Sequence, residues 1–217
     1  MASLAKKKNL IPIIFLFFLA LFLFEIIAWD WWRHGPSSEW DLLVLRHTGK
    51  FISLHPYLSA FIKLSGVLGQ SFLLWALFVL GAIFLAVKRD WRAFFLLLII
   101  VLVGHWLLGP VKAWFQRPRP VPGLPGATGF SFPSGSAYLA AVVYGSLAFF
   151  LSRHTSKWWV KFVLFAGALL AMMLVGLSRV WLRLHWCSDV LGAYALAASW
   201  LLLNLLIYQK IQQKGGR

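Results

Sequence analysis

Six long runs of apolar residues follow one another along the chain, and none shows the period-two alternation of a half-buried strand. Each run is near the about 17–25 residues that a helix needs to cross a hydrocarbon core of roughly 30 Å. Backbone groups inside hydrocarbon must be satisfied internally, which leaves helices or a closed barrel, and the missing alternation favours helices. The pattern predicts an all-α integral membrane protein, a single-domain bundle of six transmembrane helices over residues 1–217. The predicted spans are about 10–28, 66–87, 93–111, 136–152, 162–177 and 190–208.

The composition agrees with a membrane environment. Hydrophobic residues make up 61% of the chain and charged residues only 12%, whereas soluble domains average about half apolar and about a quarter charged. The formal net charge is +15, but the cations stand in short clusters between the apolar runs rather than in a basic arm. This distribution favours contact with membrane lipids and argues against nucleic acid as a partner. No feature points to an obligate protein partner.

The basic residues also predict an orientation. Lys6, Lys7 and Lys8 precede the first run, which is longer than the apolar region of a signal peptide and lacks a small-residue cleavage site, so we expect an uncleaved span. Twelve Lys and Arg residues near the spans fall on the side of both termini and nine on the other side. The positive-inside rule then places both termini in the cytoplasm of a multi-pass protein of the inner (plasma) membrane.

Helix parity places two connections on the same face of the membrane, whatever the orientation. These are residues 112–135, between the third and fourth spans, and residues 178–189, between the fifth and sixth. In the orientation above they face the periplasmic or extracellular side. Polar groups in the two connections can therefore converge on one site.

The first connection has the composition of an anion-binding loop. Its prolines and glycines are too dense for a regular helix, and it ends at Ser134 and Gly135, where the fourth helix is predicted to begin. Unpaired backbone N–H groups at a helix N-terminus favour negative charge, so a phosphate could bind there with Lys112 and Arg119 neutralising it. Taken alone, these two cations could equally extend to lipid headgroups at a span end.

The second connection pairs a histidine with a carboxylate. After Asp90 the sequence contains no carboxylate other than Asp189, which follows His185 by four residues. That spacing predicts that the two side chains share one face of a helix. A carboxylate bonded to one imidazole nitrogen fixes the tautomer and leaves the other nitrogen free as a base or nucleophile. A phosphate-binding loop facing this pair is not easily explained by packing.

These residues resemble the signatures of the type 2 phosphatidic-acid phosphatases, integral-membrane lipid-phosphate phosphatases related to vanadium haloperoxidases. The first family signature, Lys, six residues, then Arg-Pro, is matched by Lys112 and Arg119-Pro120. The third, Ser-Arg, five residues, His, three residues, Asp, is matched by Ser178-Arg179, His185 and Asp189. The second is normally Pro-Ser-Gly-His, where this chain has Pro133-Ser134-Gly135-Ser136.

The resemblance implies a mechanism and a role for each matched residue. His185, held by Asp189, would attack phosphorus in line to give a phosphohistidine that water then hydrolyses. Phosphoryl transfer is mostly positioning and stabilisation of spread charge, and no metal or other cofactor is expected. The chain also offers no acidic cluster that could hold a metal. The phosphoryl oxygens would be held by Lys112, Arg119, Arg179, the Ser134 hydroxyl and the Gly135 backbone N–H.

Ser136 departs from the family pattern. The family has a histidine there as the general acid that protonates the leaving alkoxide, and a serine hydroxyl is far too weak an acid to replace it near neutral pH. General acid catalysis contributes about 10²–10⁴-fold, so we predict a site that binds phosphate but turns over slowly. Either a histidine was replaced deliberately to trap a substrate, which we favour because every other signature position is intact, or the chain diverged toward a leaving group such as a pyrophosphate.

Other polar residues have weaker interpretations. His105, inside the third span, either faces the site or makes a packing or helix–helix contact, with even odds, and Glu25 is similar. The connection 29–65, with His47 and His55, is expected to be a loop lying flat in the interface. Cys187 is expected to be a packing residue. A serine-hydrolase elbow and a zinc site around His185 are both weakly supported.

The expected function is that of a bacterial phosphatase acting on a membrane lipid phosphate or pyrophosphate. Candidate substrates implied by the family are undecaprenyl pyrophosphate, phosphatidylglycerol phosphate and phosphatidic acid. Two alternatives stay open: a lipid phosphotransferase using the same His185 intermediate, and a non-catalytic lipid-phosphate binder, suggested by Ser136. The sequence ranks neither the lipids nor the oligomeric states.

Overall fold

A computed structural model describes residues 10–35, 38–121 and 129–214. The basic residues Lys6, Lys7 and Lys8, and residues 122–128 of the proline- and glycine-rich loop, lie outside this part of the chain. The described residues form helices joined by turns and irregular connections, and they contain no strand. The helices are α1 (Ile11–His34), α2 (Glu39–Leu54), α3 (Pro56–Ser65), α4 (Ser71–Val87), α5 (Trp91–Leu98), α6 (Gly104–Phe115), α7 (Gly135–Ser152), α8 (Trp158–Trp181) and α9 (Cys187–Lys214).

Five helical segments of the described chain are long and apolar enough to cross a membrane. They are α1, the continuous segment Trp91–Phe115 that contains α5 and α6, α7, α8 and the stretch Cys187–Ile211 of α9. The apolar helix α4 has 17 residues, at the lower end of the about 17–25 that a span requires. This architecture confirms the predicted all-α multi-pass membrane protein. The helices extend beyond the apolar runs because a helix continues through the interface, where tryptophans and charged residues end the run.

The connection 29–65 is mostly helical, so the expectation of a loop there was wrong. α2 begins after Ser38, whose hydroxyl oxygen accepts the backbone N–H of Asp41 at 3.4 Å, and α3 begins at Pro56, a residue suited to the first helical position. Together with the 3₁₀ turn Gly66–Gly69, the two helices form a pair bent by 119°. Mixed apolar and basic residues hid these short helices from a search for long apolar runs.

The centre of the bundle is α7. Ala137, Ala140 and Val143 are fully buried in it, and the helix packs against α4, α8 and α9, while α1 packs along α9. Small side chains let membrane helices approach closely, which increases van der Waals contact. The N-terminus of α7 is therefore held firmly at the point where it meets the candidate site.

The segment that ends in α6 is not a regular helix. Residues Ile99–Val103 form a π-helical turn, and the indole nitrogen of Trp200 on α9 donates to the carbonyl of Ile100 at 2.8 Å. Gly104 follows, where a Cβ atom would lie 2.7 Å from both the Trp200 indole nitrogen and the Tyr138 hydroxyl. A π turn inserts an extra residue and shifts the face of everything after it. This turn therefore sets which residues of α6 face the candidate site.

Candidate active site

A cavity of about 700 Å³ opens where the two connections meet. Its wall is formed by α6 from His105 to Lys112, the loop that follows α6, the start of α7, the end of α8, the turn before α9 and the segment that leads into α4. The parity argument is therefore confirmed, because residues from both connections line one cavity. Six sequence-predicted residues are on the wall: Lys112, Arg119, Gly135, Ser136, Arg179 and His185.

His185 presents one ring nitrogen to a carboxylate and the other to a guanidinium. Its Nδ1 lies 3.4 Å from Oδ2 of Asp189, and its Nε2 lies 3.2 Å from Nη1 of Arg119. A carboxylate acceptor assigns the proton of the neutral ring to Nδ1. The Nε2 lone pair then points toward Arg119 and the cavity, which makes Nε2 the nitrogen able to act on a ligand.

The two residues do not share a helix face, so that prediction was wrong. α9 begins at Cys187, which leaves His185 in the preceding turn, and Asp189 is the third residue of the helix. The carboxylate reaches back over the N-terminus, where Oδ2 accepts the backbone N–H of Trp186 at 2.9 Å. This is one half of a capping box. The i,i+4 spacing brings the side chains together through a helix cap.

Asp189 is held from the side opposite His185 by a buried arginine. Nη1 of Arg117 donates to Oδ1 of Asp189 at 2.9 Å, and Nη2 donates to Oδ2 of Asp41 at 2.7 Å. All three side chains are almost fully buried. The Ser131 hydroxyl donates to Oδ2 of Asp189. Asp189 is therefore fixed by contacts from both connections, and Asp41 of α2 supports it through Arg117.

Sequence reasoning missed Arg117, Asp41 and Ser131. Arg117 is two residues before Arg119, among the six unspecified residues of the first signature. Asp41 is one of only six acidic residues in a chain of net charge +15, which was a usable signal, because a scarce acid on a short helix must have a partner. The backbone N–H of Ser188 donates to Oδ1 of Asp41 at 3.0 Å. The two residues are far apart in sequence, so no local pattern predicts this contact.

The three cations of the cavity are positioned by backbone carbonyls. Nζ of Lys112 donates to Phe130 O at 2.8 Å, and Nη2 of Arg179 donates to Gly66 O at 2.9 Å. Nη1 of Arg119 donates to Leu184 O at 2.8 Å. Carbonyl oxygens orient these groups without cancelling their charge, so the cavity wall stays positive.

Burial and neighbouring charges shift the pKa values of Arg119 and His185. Burial lowers the pKa of the Arg119 guanidinium, and the negative charge of Asp189 opposes that effect. Burial likewise lowers the pKa of His185; the hydrogen bond and charge of Asp189 oppose the shift, while the charges of Arg119 and Lys112 add to it. The histidine is therefore neutral at lower pH than an ordinary imidazole would be.

The start of α7 has the features of the predicted anion-binding turn. The helix begins at Gly135 with Ser134 as its N-cap residue, and the cavity reaches both Gly135 and Ser136. A Cβ atom at Gly135 would lie 3.6 Å from Cε of Lys112, so the lysine passes directly beside the helix N-terminus. Ser134 itself is fully buried, and its hydroxyl has no hydrogen-bond partner among the described residues.

His105, whose position the sequence left open, lines the same cavity and also packs edge-on against Trp75 with ring centroids 5.3 Å apart. Glu25 lies elsewhere, on an aromatic groove with Trp29, Trp32 and Trp114. Cys187 is partly buried at the start of α9.

Residues 91–213 match the family model described as PAP2 superfamily, a match that covers more than half of the chain and every motif residue above. The chain belongs to the PAP2 superfamily. Its membership in this family of membrane lipid phosphatases confirms the resemblance seen in the sequence. Phosphatidylglycerophosphatase B of Bacillus subtilis (strain 168) is 38% identical over 143 residues, which are 64% of this chain and 67% of that protein.

Two solved structures share the fold. One is described as the first transmembrane PAP2 type phosphatidylglycerolphosphate phosphatase from Bacillus subtilis; it superposes with a TM-score of 0.74 at 27% identity, over 92% of this chain and 96% of that one. The other is Aquifex aeolicus LpxE, with a TM-score of 0.59 at 24% identity, over 79% of this chain and 98% of that one. At that identity the second match supports the fold alone.

Proposed function

We propose that this protein hydrolyses the terminal phosphate of a membrane lipid phosphate or pyrophosphate, with His185 as the nucleophile. One observation carries the proposal. Nε2 of His185 faces a cation-lined cavity, 3.2 Å from Nη1 of Arg119, while Nδ1 faces a buried carboxylate. An imidazole oriented in this way is activated for attack on an electrophile bound among cations.

The first step forms a bond between His185 and phosphorus. Nε2 donates its lone pair to phosphorus, the bond from phosphorus to the lipid oxygen breaks, and Asp189 stabilises the positive charge that develops on the ring. Arg119 donates to Nε2 in the free protein. Its guanidinium must turn to the phosphoryl oxygens on binding, which frees the lone pair when a substrate is present. Water then attacks the phosphohistidine and releases inorganic phosphate.

The phosphoryl oxygens are held by Lys112, Arg119 and Arg179, together with the N-terminus of α7 at Gly135. These groups converge on one cavity, and helix N-termini bind phosphate through unpaired N–H groups. The buried hydroxyl of Ser134, which lacks a partner in the described structure, is the remaining donor. Because the transition state spreads charge over the equatorial oxygens, these preorganised donors supply most of the catalysis.

Ser136 lines the same cavity. In this proposal it makes phosphate release slower than a histidine at the same position would. Its hydroxyl cannot protonate an alkoxide near neutral pH, so turnover is slower than with an imidazole at this position. The same observation favours one second candidate, a protein that binds lipid phosphates without turning them over.

Phosphatidylglycerol phosphate is the first substrate to test, because the Bacillus subtilis relatives carry that activity in their names. Undecaprenyl pyrophosphate and phosphatidic acid present the same terminal phosphate. We place the termini in the cytoplasm and the site on the outer face of the plasma membrane, following the positive-inside count.

Phosphate release from these three lipids, measured in detergent micelles, tests the proposal. We expect slow release by the protein with Ser136 and its loss in His185→Asn, with little change in His154→Gln, since His154 lies beyond the opposite end of α7 from the cavity. Transfer of phosphate to an added lipid alcohol in place of water would indicate a phosphotransferase. Binding without release, even after Ser136→His, would support the non-catalytic binder.

A further inference from the structure

The cavity contains a second imidazole. His105 lines the same wall as His185 and Ser136, although it lies in a predicted membrane span on a different helix. An ionisable residue inside a span is costly and faces a cavity or a partner. Within the described part of the chain, the His105 side chain makes no hydrogen bond to another residue, and its ring packs edge-on against Trp75.

The register of α6 aims His105 at the site. Five residues of this helix line the cavity: His105, Trp106, Leu108, Gly109 and Lys112. All but Trp106 follow the spacing i, i+3, i+4, i+7, and Trp106 is at the edge of that face. That spacing is one helix face. The π turn Ile99–Val103 immediately precedes this face and sets its direction. The element that presents Lys112 to the phosphate therefore also presents His105 to the cavity.

The position of His105 along α6 places it where the lipid leaving group would lie. It lies seven residues before Lys112, about 10 Å along the helix axis at 1.5 Å per residue, and away from the loop that carries Arg119. Leu108, one turn closer to Lys112, is level with the N-terminus of α7, since a Cβ atom at Gly135 would lie 3.6 Å from its Cδ2. His105 is therefore on the bilayer side of the phosphate-binding turn, while His185 lies at the loop side.

The charged and titratable groups on the cavity wall, among the described residues, are Lys112, Arg119, Arg179, His185 and His105. Lys112, Arg119 and Arg179 are assigned to the phosphoryl oxygens and His185 is the nucleophile, which leaves the His105 imidazole to act as the acid. Histidine is the side chain that most often serves as a general acid in enzymes. Among the described residues no carboxylate lines this wall, and a bound phosphate would bring negative charge to it.

We propose that His105 protonates the leaving oxygen, the task for which Ser136 is too weak an acid. This inference rests on the proposed function. As Nε2 of His185 bonds to phosphorus, the phosphorus–oxygen bond breaks, and the lipid oxygen takes that electron pair and the proton of the His105 imidazolium. Neutral His105 then accepts a proton from the water that attacks the phosphohistidine. Phosphate leaves, and both imidazoles return to their starting states.

The test compares two lipids with the same acyl chains, dioleoyl phosphatidic acid and dioleoylglycerol pyrophosphate. The first expels an alkoxide that needs a proton, and the second expels a phosphate that needs it far less. For His105→Gln we expect a fall of about 10²-fold or more in single-turnover rate on the first lipid and under about tenfold on the second. Ser136→His should restore most of the loss in the His105→Gln background.

Equal losses on both lipids would assign His105 a structural role and overturn the inference, as would an unchanged rate on phosphatidic acid. His154→Gln is the matched control and should leave the ratio of the two rates unchanged. If the unsubstituted protein and Ser136→His release phosphate from neither lipid, the proposed function fails and this inference fails with it. If both are hydrolysed and His105→Gln leaves the ratio of rates unchanged, only the inference fails.

Discussion

Arg117 donates through Nη1 to Oδ1 of Asp189 at 2.9 Å, and both side chains are almost completely buried. The arginine does not line the cavity, so it acts through the carboxylate. Its second nitrogen donates to Asp41, which ties α2 to the start of α9. Arg117 is thus a positioning residue for the pair His185–Asp189, and it joins the fold to the site.

Replacing Arg117 with Met should therefore affect both stability and activity. The substitution leaves the carboxylates of Asp41 and Asp189 buried without their cation, and breaking a buried ion pair costs about 3–5 kcal/mol. We expect a loss of this size in the free energy of unfolding, measured by denaturant titration in detergent. Asp41→Asn keeps the Arg117–Asp189 contact and should cost less. Equal stability of Arg117→Met and wild type would contradict the assigned role.

The pH dependence of hydrolysis should reflect the lowered pKa of His185. Attack requires the neutral ring, so activity falls as pH drops through this pKa. Burial lowers it below the ordinary value of about 6.5, which predicts a kcat/KM profile that is still flat at that pH and falls only below it. Removing the nearby positive charge in Lys112→Gln should raise this pKa and move the acidic limb to higher pH. A limb that moves to lower pH in Lys112→Gln would show that another group titrates.

Ser136→His should increase phosphate release from an alkyl phosphate. A general acid contributes about 10²–10⁴-fold, and we expect a gain of at least about tenfold because His105 already supplies part of this effect. Ser136→Asn enlarges the side chain without adding an acid and should give no gain. A Ser136→His protein no faster than Ser136→Asn would rule out the missing acid as the cause of slow turnover.

Gly69→Ala should weaken phosphate binding through Arg179. A Cβ atom at this position would lie 2.6 Å from Cγ1 of the buried Val175 and 2.7 Å from Nη2 of Arg179. The flexible arginine can move away, whereas the contact with the stiff Val175 also shifts the backbone and lowers stability. A hydrogen bond to a charged group is worth about 1.5–3 kcal/mol, so we expect KM to rise about tenfold or more. Gly167→Ala, where no atom lies within 4 Å, is the control. Equal KM values for Gly69→Ala and Gly167→Ala would show that Gly69 does not affect phosphate binding through Arg179.

The sequence was sufficient for the membrane fold and the family, and insufficient for the groups that support the site. Long apolar runs and ordered motifs lie in local sequence, so the spans and the convergence of Arg119 with His185 followed from helix parity and spacing. The geometry of Asp189 could not be predicted from the sequence, because an i,i+4 spacing is compatible both with a shared helix face and with a helix cap. The contacts of Arg117 with Asp41 and Asp189 join residues 76 and 72 positions apart, and no local pattern encodes them.

His105 illustrates the same limit. Its place inside an apolar run does not show on which side of α6 the side chain lies, because that side depends on the π turn before the helix. A period of 3.6 residues counted through Ile99–Val103 assigns the wrong face. The contact of Trp200 with Ile100 that accompanies this turn comes from a helix a hundred residues away.

The most direct test of the account is to locate the phosphate on the protein during turnover. A lipid pyrophosphate labelled in its terminal phosphate would be mixed with the protein, quenched in alkali and digested, and the labelled peptide identified by mass spectrometry. We predict an alkali-stable, acid-labile phosphate on His185, absent from His185→Asn. Phosphate release that persists in His185→Asn, or a label on any other residue, would contradict the central claim.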